Sequence, residues 1–425
     1  MKRSLNTLLV ILITLSVFGQ EKEKAFKVEL HGFVGVSGFY DSRQSVAPRN
    51  SHIYLYPKPV QLDDRGNDIN ATGQYNIDAA HSRFGLHVSG PDVLGAKSFA
   101  LVEGDFLGKS GSNDVNFRLR HAMIRLSWEK SYLIVGQYWH PLFIPESFPL
   151  MIGLDPAIPF NPFARNAQLK YGVKASDNLE LNAALVAQTD FKNAGMPTGD
   201  EMSQLPELDV QLKYKSKQFL LALTAGVKSL KPMLSEQFDD ANDPDIKYTY
   251  ATDEKVTSYH LSAITKINIS DLTVKAGYTY GGNMSNMVML GGVGRKANTG
   301  INNILSEYAA TYSGSFWADL QYNIGKVQTG VFFGHSKAYG AREDVSILWQ
   351  YSIGGSSTNP GSSTIGSLYS VSPRVDFVLA KKTTLGLQYA YTVAGYGDDF
   401  DSQGTPINTT DVENHRITVS MLYKF

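Results

Sequence analysis

The chain has 425 residues, no cysteine, 39 Lys and Arg against 40 Asp and Glu, and a formal net charge of −1. The missing cysteines exclude a disulfide framework, a cysteine-ligated zinc, a thiol nucleophile and a lipoprotein anchor. The balanced charge gives no electrostatic reason to bind nucleic acid, so we expect no such partner. The length of 425 residues fits two or three soluble domains or one large β-barrel.

The first segment, residues 1–19, has the features of a secretory signal peptide. Two basic residues precede an apolar run from Leu8 to Phe18, and we expect cleavage after Gly19. The apolar run is too short for an anchor helix, which needs about 20 residues. No later run is long enough for a transmembrane helix, so residues 20–425 are predicted to form one exported unit that is periplasmic, secreted or an outer-membrane barrel.

From residue 27 onward the sequence has the alternation of β-strands, with an apolar residue at every second position. In the last segment Ile417, Val419 and Met421 share one face, and Thr418 and Ser420 share the other. Sixteen strands are predicted in this way, at 27–41, 76–89, 97–107, 115–128, 131–140, 166–175, 179–190, 206–216, 218–229, 257–268, 271–281, 312–324, 326–337, 366–380, 382–394 and 412–425.

The connections between these strands alternate between long and short, as in transmembrane barrels, whose periplasmic turns are short and whose outer loops are longer. Because hydrocarbon offers the backbone no hydrogen-bond partner, a membrane sheet must close on itself. We therefore predict an all-β fold, a transmembrane antiparallel β-barrel of about sixteen strands. It would lie in the outer membrane of a Gram-negative bacterium, with lipid against its outward face. The final Tyr423-Lys424-Phe425 resembles the assembly signature of such barrels.

Four segments between residues 81 and 143 resemble one known family. They are SRFGL (82–86), VEGDFLG (102–108), FRLRHAMIRL (117–126) and VGQYWHPLF (135–143). In this order and spacing they resemble the DcaP-like trimeric porins of the bacterial porin superfamily. The resemblance implies a sixteen-stranded barrel, a homotrimer, and passive diffusion of small, often anionic, hydrophilic solutes across an outer membrane.

Charged side chains are predicted on the inward face of the early strands. The alternation puts Phe117, Leu119 and Met123 on the outward face. It puts the following charged residues inward: Arg83, Glu103, Asp105, Arg118 and Arg120. These charges either neutralise one another in a wall network or leave surplus arginine that attracts anions, and the sequence leaves both readings open. Later strands place Arg374, Asp376 and Arg416 on their polar faces, as further candidates for the channel lining.

The third long connection, 141–165, contains six prolines and few charges. In general porins the third loop folds into the barrel and narrows it, and this loop resembles such a constriction loop. Its apolar, proline-rich sequence fits a rigid loop packed against a wall, although an external loop at a subunit contact remains an alternative. Within it, Glu146 and Asp155 are expected to face Arg83, Arg118 and Arg120 across the pore, and Arg165 at its end is a further candidate for the lining.

No catalytic motif or cofactor-binding pattern is recognisable. Histidines such as His121, His140, His260, His335 and His415 are scattered, and we expect no metal site, no cofactor and no enzymatic activity. Aspartate pairs in the long loops could bind Ca²⁺, but solvated turns explain them as well. The sequence thus favours a passive trimeric porin. The alternatives are a substrate-specific barrel of the fatty-acid-channel type, which would need a plug before the first strand, and an outer-membrane enzyme.

Overall fold

The computed structural model describes residues 26–108, 116–196, 198–240, 243, 245–301, 304–349 and 365–425. The predicted signal peptide, residues 1–19, lies outside these ranges, so its assignment stays a prediction. Within the described part, the chain is almost entirely β-structure, with one α-helix at Gly199–Ser203 and 3-10 turns at Ile69–Ala71, Ile152–Leu154 and Met284–Met287. No helix of this part is long and apolar enough to cross a membrane.

Sixteen antiparallel strands form a single closed sheet, as predicted. They are β1 (Lys27–Asp41), β2 (in two pieces, Gln74–Asp78 and Arg83–Ser89), β3 (Lys97–Gly108), β4 (Asn116–Ser127), β5 (Ser131–Trp139), β6 (Arg165–Lys174), β7 (Leu179–Ala187), β8 (Glu207–Lys215), β9 (Phe219–Leu230), β10 (Val256–Ile269), β11 (Leu272–Gly282), β12 (Tyr308–Ile324), β13 (Val327–Gly340), β14 (Ile365–Ala380), β15 (Thr383–Tyr396) and β16 (Thr410–Lys424). Each strand pairs with the next, and β1 closes the barrel on β16 with Gly38 opposite Val419. Among the sixteen described strands, closure leaves no strand at an unpaired edge, as hydrocarbon requires.

The long connections carry short hairpins and ladders of their own. Small strands pair at Ser45–Val46 with Tyr56–Pro57, Ser235–Asp239 with Lys247–Ala251, Gly292–Lys296 with Val345–Trp349, and Asp399–Phe400 with Pro406–Ile407. β12 begins at Tyr308, before the predicted start at residue 312, because it continues on the loop side as a partner of Gly292–Lys296. The alternation of short turns and long loops around the barrel is therefore as predicted.

The two faces of the wall differ as the alternation predicts. On β16 the outward Ile417, Val419 and Met421 are exposed, whereas the inward Thr418 and Ser420 are buried. The other strands repeat this pattern of exposed apolar residues on one side and buried, largely polar residues on the other. An apolar outward face matches lipid, and a polar inward face matches a wet lumen.

The predicted outward position of Met123 is wrong. The register between β3 and β4 shifts where Glu103 lies opposite His121 and Gly104 lies opposite Leu119, so β4 carries one extra residue at Arg120. Such a bulge reverses the alternation beyond it. Met123 is therefore buried among inward residues, and its neighbour Ile124 is exposed on the outward face.

Candidate channel-lining site

Inward-facing charges of both signs meet where β2, β3 and β4 lie side by side. The register places Arg83 opposite Asp105, and Asp105 opposite Arg118. Arg118 donates two hydrogen bonds to Asp105, Nε to Oδ1 at 2.6 Å and Nη2 to Oδ2 at 3.1 Å. Arg120 bridges Glu103 Oε1 at 2.8 Å and Asp105 Oδ2 at 2.9 Å, and Arg83 Nε lies 3.7 Å from Glu103 Oε1. The five residues predicted from these strands thus lie together and are paired across the strands.

Arg165 joins this group from the first position of β6. Its Nε and Nη2 donate to Asp190 Oδ2 at 3.0 Å and 2.8 Å. Its guanidinium lies 5.2 Å from the ring centre of Trp139 and 5.0 Å from that of Phe163. Asp190 also lies 4.0 Å from Arg118 Nη1, so it links Arg165 to the charges of β3 and β4.

A further arginine, Arg49, reaches the same group from the connection between β1 and β2. Its Nη1 donates to the carbonyl oxygen of Leu107 at 2.5 Å, and its guanidinium lies 5.6 Å from the Phe191 ring centre. Burial lowers the pKa of Arg49 to about 10, and the nearby Arg118 acts in the same direction. Arg49 therefore remains a cation at neutral pH.

We call these side chains the arginine cluster: Arg49, Arg83, Arg118, Arg120 and Arg165, with the carboxylates of Glu103, Asp105 and Asp190. Five guanidinium groups face three carboxylates, a formal surplus of two positive charges. Among the described residues, Arg83 Nε, Arg118 Nη1 and Arg165 Nη1 have no hydrogen-bond acceptor. A cavity of about 120 Å³ lies against Arg83, Arg118 and Arg120. The cluster thus combines a positive surplus with buried donors that lack an acceptor, and three of its arginines line a cavity.

The segment between β5 and β6 contacts inward-facing residues around much of the barrel. Gln211 of β8 donates to the Pro141 carbonyl at 2.7 Å, and Lys275 of β11 donates to the Phe148 carbonyl at 3.0 Å. The Ile152 amide donates to Gln388 of β15 at 2.9 Å, and Ser315 of β12 donates to the Phe160 carbonyl at 2.8 Å. Its apolar side chains also form much of the largest buried cluster, including Leu142, Phe143, Ile144, Phe160 and Phe163.

Of the two acids of this segment, Asp155 lies near the arginine cluster and Glu146 does not. Glu146 was expected opposite the arginines, but it lies 3.3 Å from Lys213 and 3.7 Å from Lys215, both of β8. The predicted position of Glu146 is wrong because the segment already contacts β8 at Pro141, five residues before Glu146. Asp155 does line the cavity beside the arginine cluster, where its Oδ1 accepts a hydrogen bond from the Ala157 amide at 2.9 Å. Burial raises the pKa of Asp155 to about 6.

The remaining predicted residues lie elsewhere on the inner wall. Arg374 pairs with Asp319 of β12, Nη1 to Oδ1 at 2.7 Å. Asp376 lies two residues further along β14 and is only partly buried. Arg416 lies 3.6 Å from Asp41, donates to the Ser51 carbonyl at 2.5 Å, and lies over the rings of Phe39 and Tyr54. These two arginines belong to separate ion pairs and not to the arginine cluster.

Three important residues were missed by the sequence reasoning. Asp319 could have been found, because it shares the inward phase of β12 with Trp317. Asp190 stands at the end of a predicted strand, where alternation no longer assigns a face. Arg49 lies in a long connection without periodicity, so the sequence carries no signal for its position.

Comparisons with known proteins agree with this architecture. The family described as DcaP outer membrane protein matches residues 23–284, more than half of the chain. No curated protein matches the sequence closely enough to count as a relative. Among solved structures, the outer membrane channel DcaP of Acinetobacter baumannii is 13% identical, with a TM-score of 0.64, covering 96% of this chain and 99% of that one.

Two other solved structures share the fold at similarly low identity. The anion-selective porin from Comamonas acidovorans is 10% identical, with a TM-score of 0.53 and coverage of 94% of this chain and 100% of that one. The trimer form of OmpT of Vibrio cholerae is 12% identical, with a TM-score of 0.51 and coverage of 95% and 100%. The closed sixteen-stranded barrel and the family match together place this chain in the DcaP outer membrane protein family, in the outer membrane of a Gram-negative bacterium.

Proposed function

We propose that the protein is a trimeric outer-membrane porin through which small hydrophilic solutes diffuse passively, with a preference for anions. The observation that carries the preference is the arginine cluster, in which five guanidinium groups face three carboxylates on one part of the inner wall. Wall charges act on permeating ions in a narrow pore, so a positive surplus raises the local anion concentration.

We further propose that residues 141–165 form the constriction of this pore. Side chains of β8, β11 and β12 donate hydrogen bonds to backbone carbonyls of this segment. One backbone amide of the segment donates to a side chain of β15. These contacts support the role. Phe160 also lies over Gly334 of β13, where any side chain would collide with its ring. A segment held at this many points of the inner wall would narrow the passage beside Arg83, Arg118 and Arg120.

The comparisons support the proposal at the level of the fold. The similar structures include a porin described as anion-selective and an outer membrane protein described as a trimer. In the trimer that we propose, part of the exposed apolar outward face would contact the sister subunits, and the rest would contact lipid.

Planar-bilayer recording of the purified protein tests the proposal. We expect open channels that close in three equal steps, one for each subunit. Closure in a single step would contradict the trimer, and the absence of any conductance from correctly folded protein would contradict the porin function. Heat-modifiable migration on a gel establishes folding before each recording.

A further inference from the structure

A second group of titratable side chains lies in the wall, formed by β8 and β10 with the residue that follows β5. His140, Glu207, Asp209 and His260 are all buried, none more than 4% exposed. His140, Glu207 and Asp209 each place a possible ligand atom within 4.8 Å of the others. His260 Nε2 lies 2.7 Å from Asp209 Oδ1 and 3.8 Å from Glu207 Oε1. Glu207 and Asp209 are two residues apart on β8, whereas His140 and His260 come from distant parts of the sequence.

The separations of these atoms suit a metal ion. Nitrogen and oxygen ligands lie about 2.0–2.2 Å from zinc, so neighbouring ligand atoms of a tetrahedral site are about 3.3–3.6 Å apart. The distances from His260 Nε2 to the two carboxylates, 2.7 Å and 3.8 Å, fall on either side of that range. Binding an ion would replace the hydrogen bond between His260 Nε2 and Asp209 Oδ1, with the imidazole proton then on Nδ1.

The sheet leaves space for these side chains by placing a glycine between them. Gly226 of β9 is paired with Asp209 on one side and with His260 on the other. A Cβ at Gly226 would collide with Asp209 Oδ1 and His260 Nε2. The Asp209 carboxylate and the His260 imidazole therefore extend over Gly226 from the two strands that flank β9, and they are in contact there.

Each of the two carboxylates has one oxygen atom that accepts no hydrogen bond from the described residues. Glu207 Oε2 and Asp209 Oδ2 accept no hydrogen bond from any residue that the structure describes. Lys228 lies nearby, but its Nζ donates to the Asn283 carbonyl at 2.7 Å and to Asn286 Oδ1 at 2.6 Å. Buried carboxylate oxygens without donors are costly, and a bound cation would satisfy them.

We propose that Glu207, Asp209 and His260 bind a divalent transition-metal ion, with zinc as the test ion. A site that mixes imidazole and carboxylate ligands suits such ions. His140 acts as a hydrogen-bond donor to the ligands. The Leu142 amide donates to His140 Nδ1 at 3.2 Å, which places the imidazole proton on Nε2, 3.1 Å from Glu207 Oε1.

The ion would also fix the start of the 141–165 segment. His140 directly precedes Pro141, whose carbonyl is bound by Gln211 of the same strand as two of the ligands. The site therefore links that segment to β8 and β10. The proposal concerns metal binding alone and stands whether or not the pore prefers anions.

Zinc titration of the purified, folded barrel tests the site after treatment with a chelator. We expect one zinc per chain by elemental analysis after gel filtration, and an intense visible absorption from four-coordinate ion when Co²⁺ replaces zinc. His260→Gln and Gly226→Ala should lose stoichiometric zinc. His140→Gln should keep the ligands and bind about 10–100-fold more weakly, as is usual when the partner of a ligand is removed.

His335→Gln is the matched control, because His335 is an exposed strand histidine of β13. It should bind zinc like the wild type. Wild-type protein that binds no stoichiometric zinc would overturn the proposal, as would equal losses in His335→Gln and His260→Gln. The cobalt spectrum of the wild type decides the question even if a variant fails to fold.

Discussion

Arg118 and Asp105 face each other on neighbouring strands and share two parallel hydrogen bonds of 2.6 Å and 3.1 Å. A bidentate pair of this kind fixes the guanidinium plane. It leaves Arg118 Nη1 turned toward Asp190, at 4.0 Å, without a hydrogen bond to any described residue. Arg118 is thus a structural partner of Asp105, and in the function that we propose it is also a source of positive field in the lumen.

Arg118→Ala should lower the preference for anions. It removes one of the two surplus charges of the arginine cluster. A unit charge acts on an ion about 5 Å away in water with about 0.8 kcal/mol, a factor of about four before screening by salt. We expect the ratio of anion to cation permeability to fall two- to fourfold in bilayer recordings. Arg65→Ala, which removes a charge from an exposed loop, serves as the control, and an equal fall there would contradict the assignment.

Asp155 should make the ion preference depend on pH. Burial raises the pKa of Asp155 to about 6, so the carboxyl is neutral below that pH and negative above it. Its charge lies beside the cavity of Arg83, Arg118 and Arg120. The preference for anions should therefore strengthen as the pH falls from 7.5 to 5, and Asp155→Asn should reduce this change.

The raised pKa of Asp155 also predicts how the stability of the barrel depends on pH. Because the pKa of Asp155 is raised in the folded protein, its contribution to folding is present below the ordinary pKa and is lost as the pH rises through about 6. Asp155→Asn should therefore stabilise the barrel at pH 8 relative to wild type. If the ion preference of Asp155→Asn changes with pH as much as that of the wild type, the assignment of this titration to Asp155 is contradicted.

Phe160→Ala should widen the channel. Phe160 is buried, packs against Phe332 with ring centres 5.8 Å apart, and holds the 141–165 segment to β13. Truncation of a buried phenylalanine costs about 3–5 kcal/mol, which would loosen the segment. We expect a larger and noisier single-channel conductance. Phe316→Ala removes an exposed outward ring of the adjacent strand, and it should leave the conductance unchanged; equal effects in both variants would argue against a constriction.

Leu261→Arg tests the lipid-facing assignment of the outward residues. Leu261 is exposed near the middle of β10. An arginine at the bilayer midplane costs about 2–4 kcal/mol, whereas one near the interface costs about 0–1 kcal/mol. We expect the free energy of unfolding in lipid vesicles to fall by the larger amount for Leu261→Arg and by the smaller for Thr257→Arg, at the loop end of the same face. Equal losses would contradict the depth assigned to Leu261.

The strands of the barrel and their two faces were predictable from the sequence. The arrangement of the side chains inside the barrel was only partly predictable. Alternation determines which side of a strand faces lipid, so Arg83, Glu103, Asp105, Arg118 and Arg120 could be placed inside without a structure. A bulge shifts the register without a sequence signal that alternation detects, so Met123 was placed on the wrong face.

Contacts made by the long connections could not be derived from periodicity. The partner of Glu146 depends on the path of the 141–165 segment, and that path is set by tertiary contacts such as Gln211 with Pro141. The meeting of His140 with Glu207 and His260 likewise requires the three-dimensional order of the strands. Each of these residues is unremarkable in the linear sequence.

The reversal potential of single wild-type channels under a KCl gradient tests the central claim most directly, since it reports the sign of the net field in the pore. The surplus of arginine over carboxylate predicts a potential displaced toward that of chloride. A potential at zero, or displaced toward that of potassium, would contradict the assignment of the arginine cluster as the selectivity element.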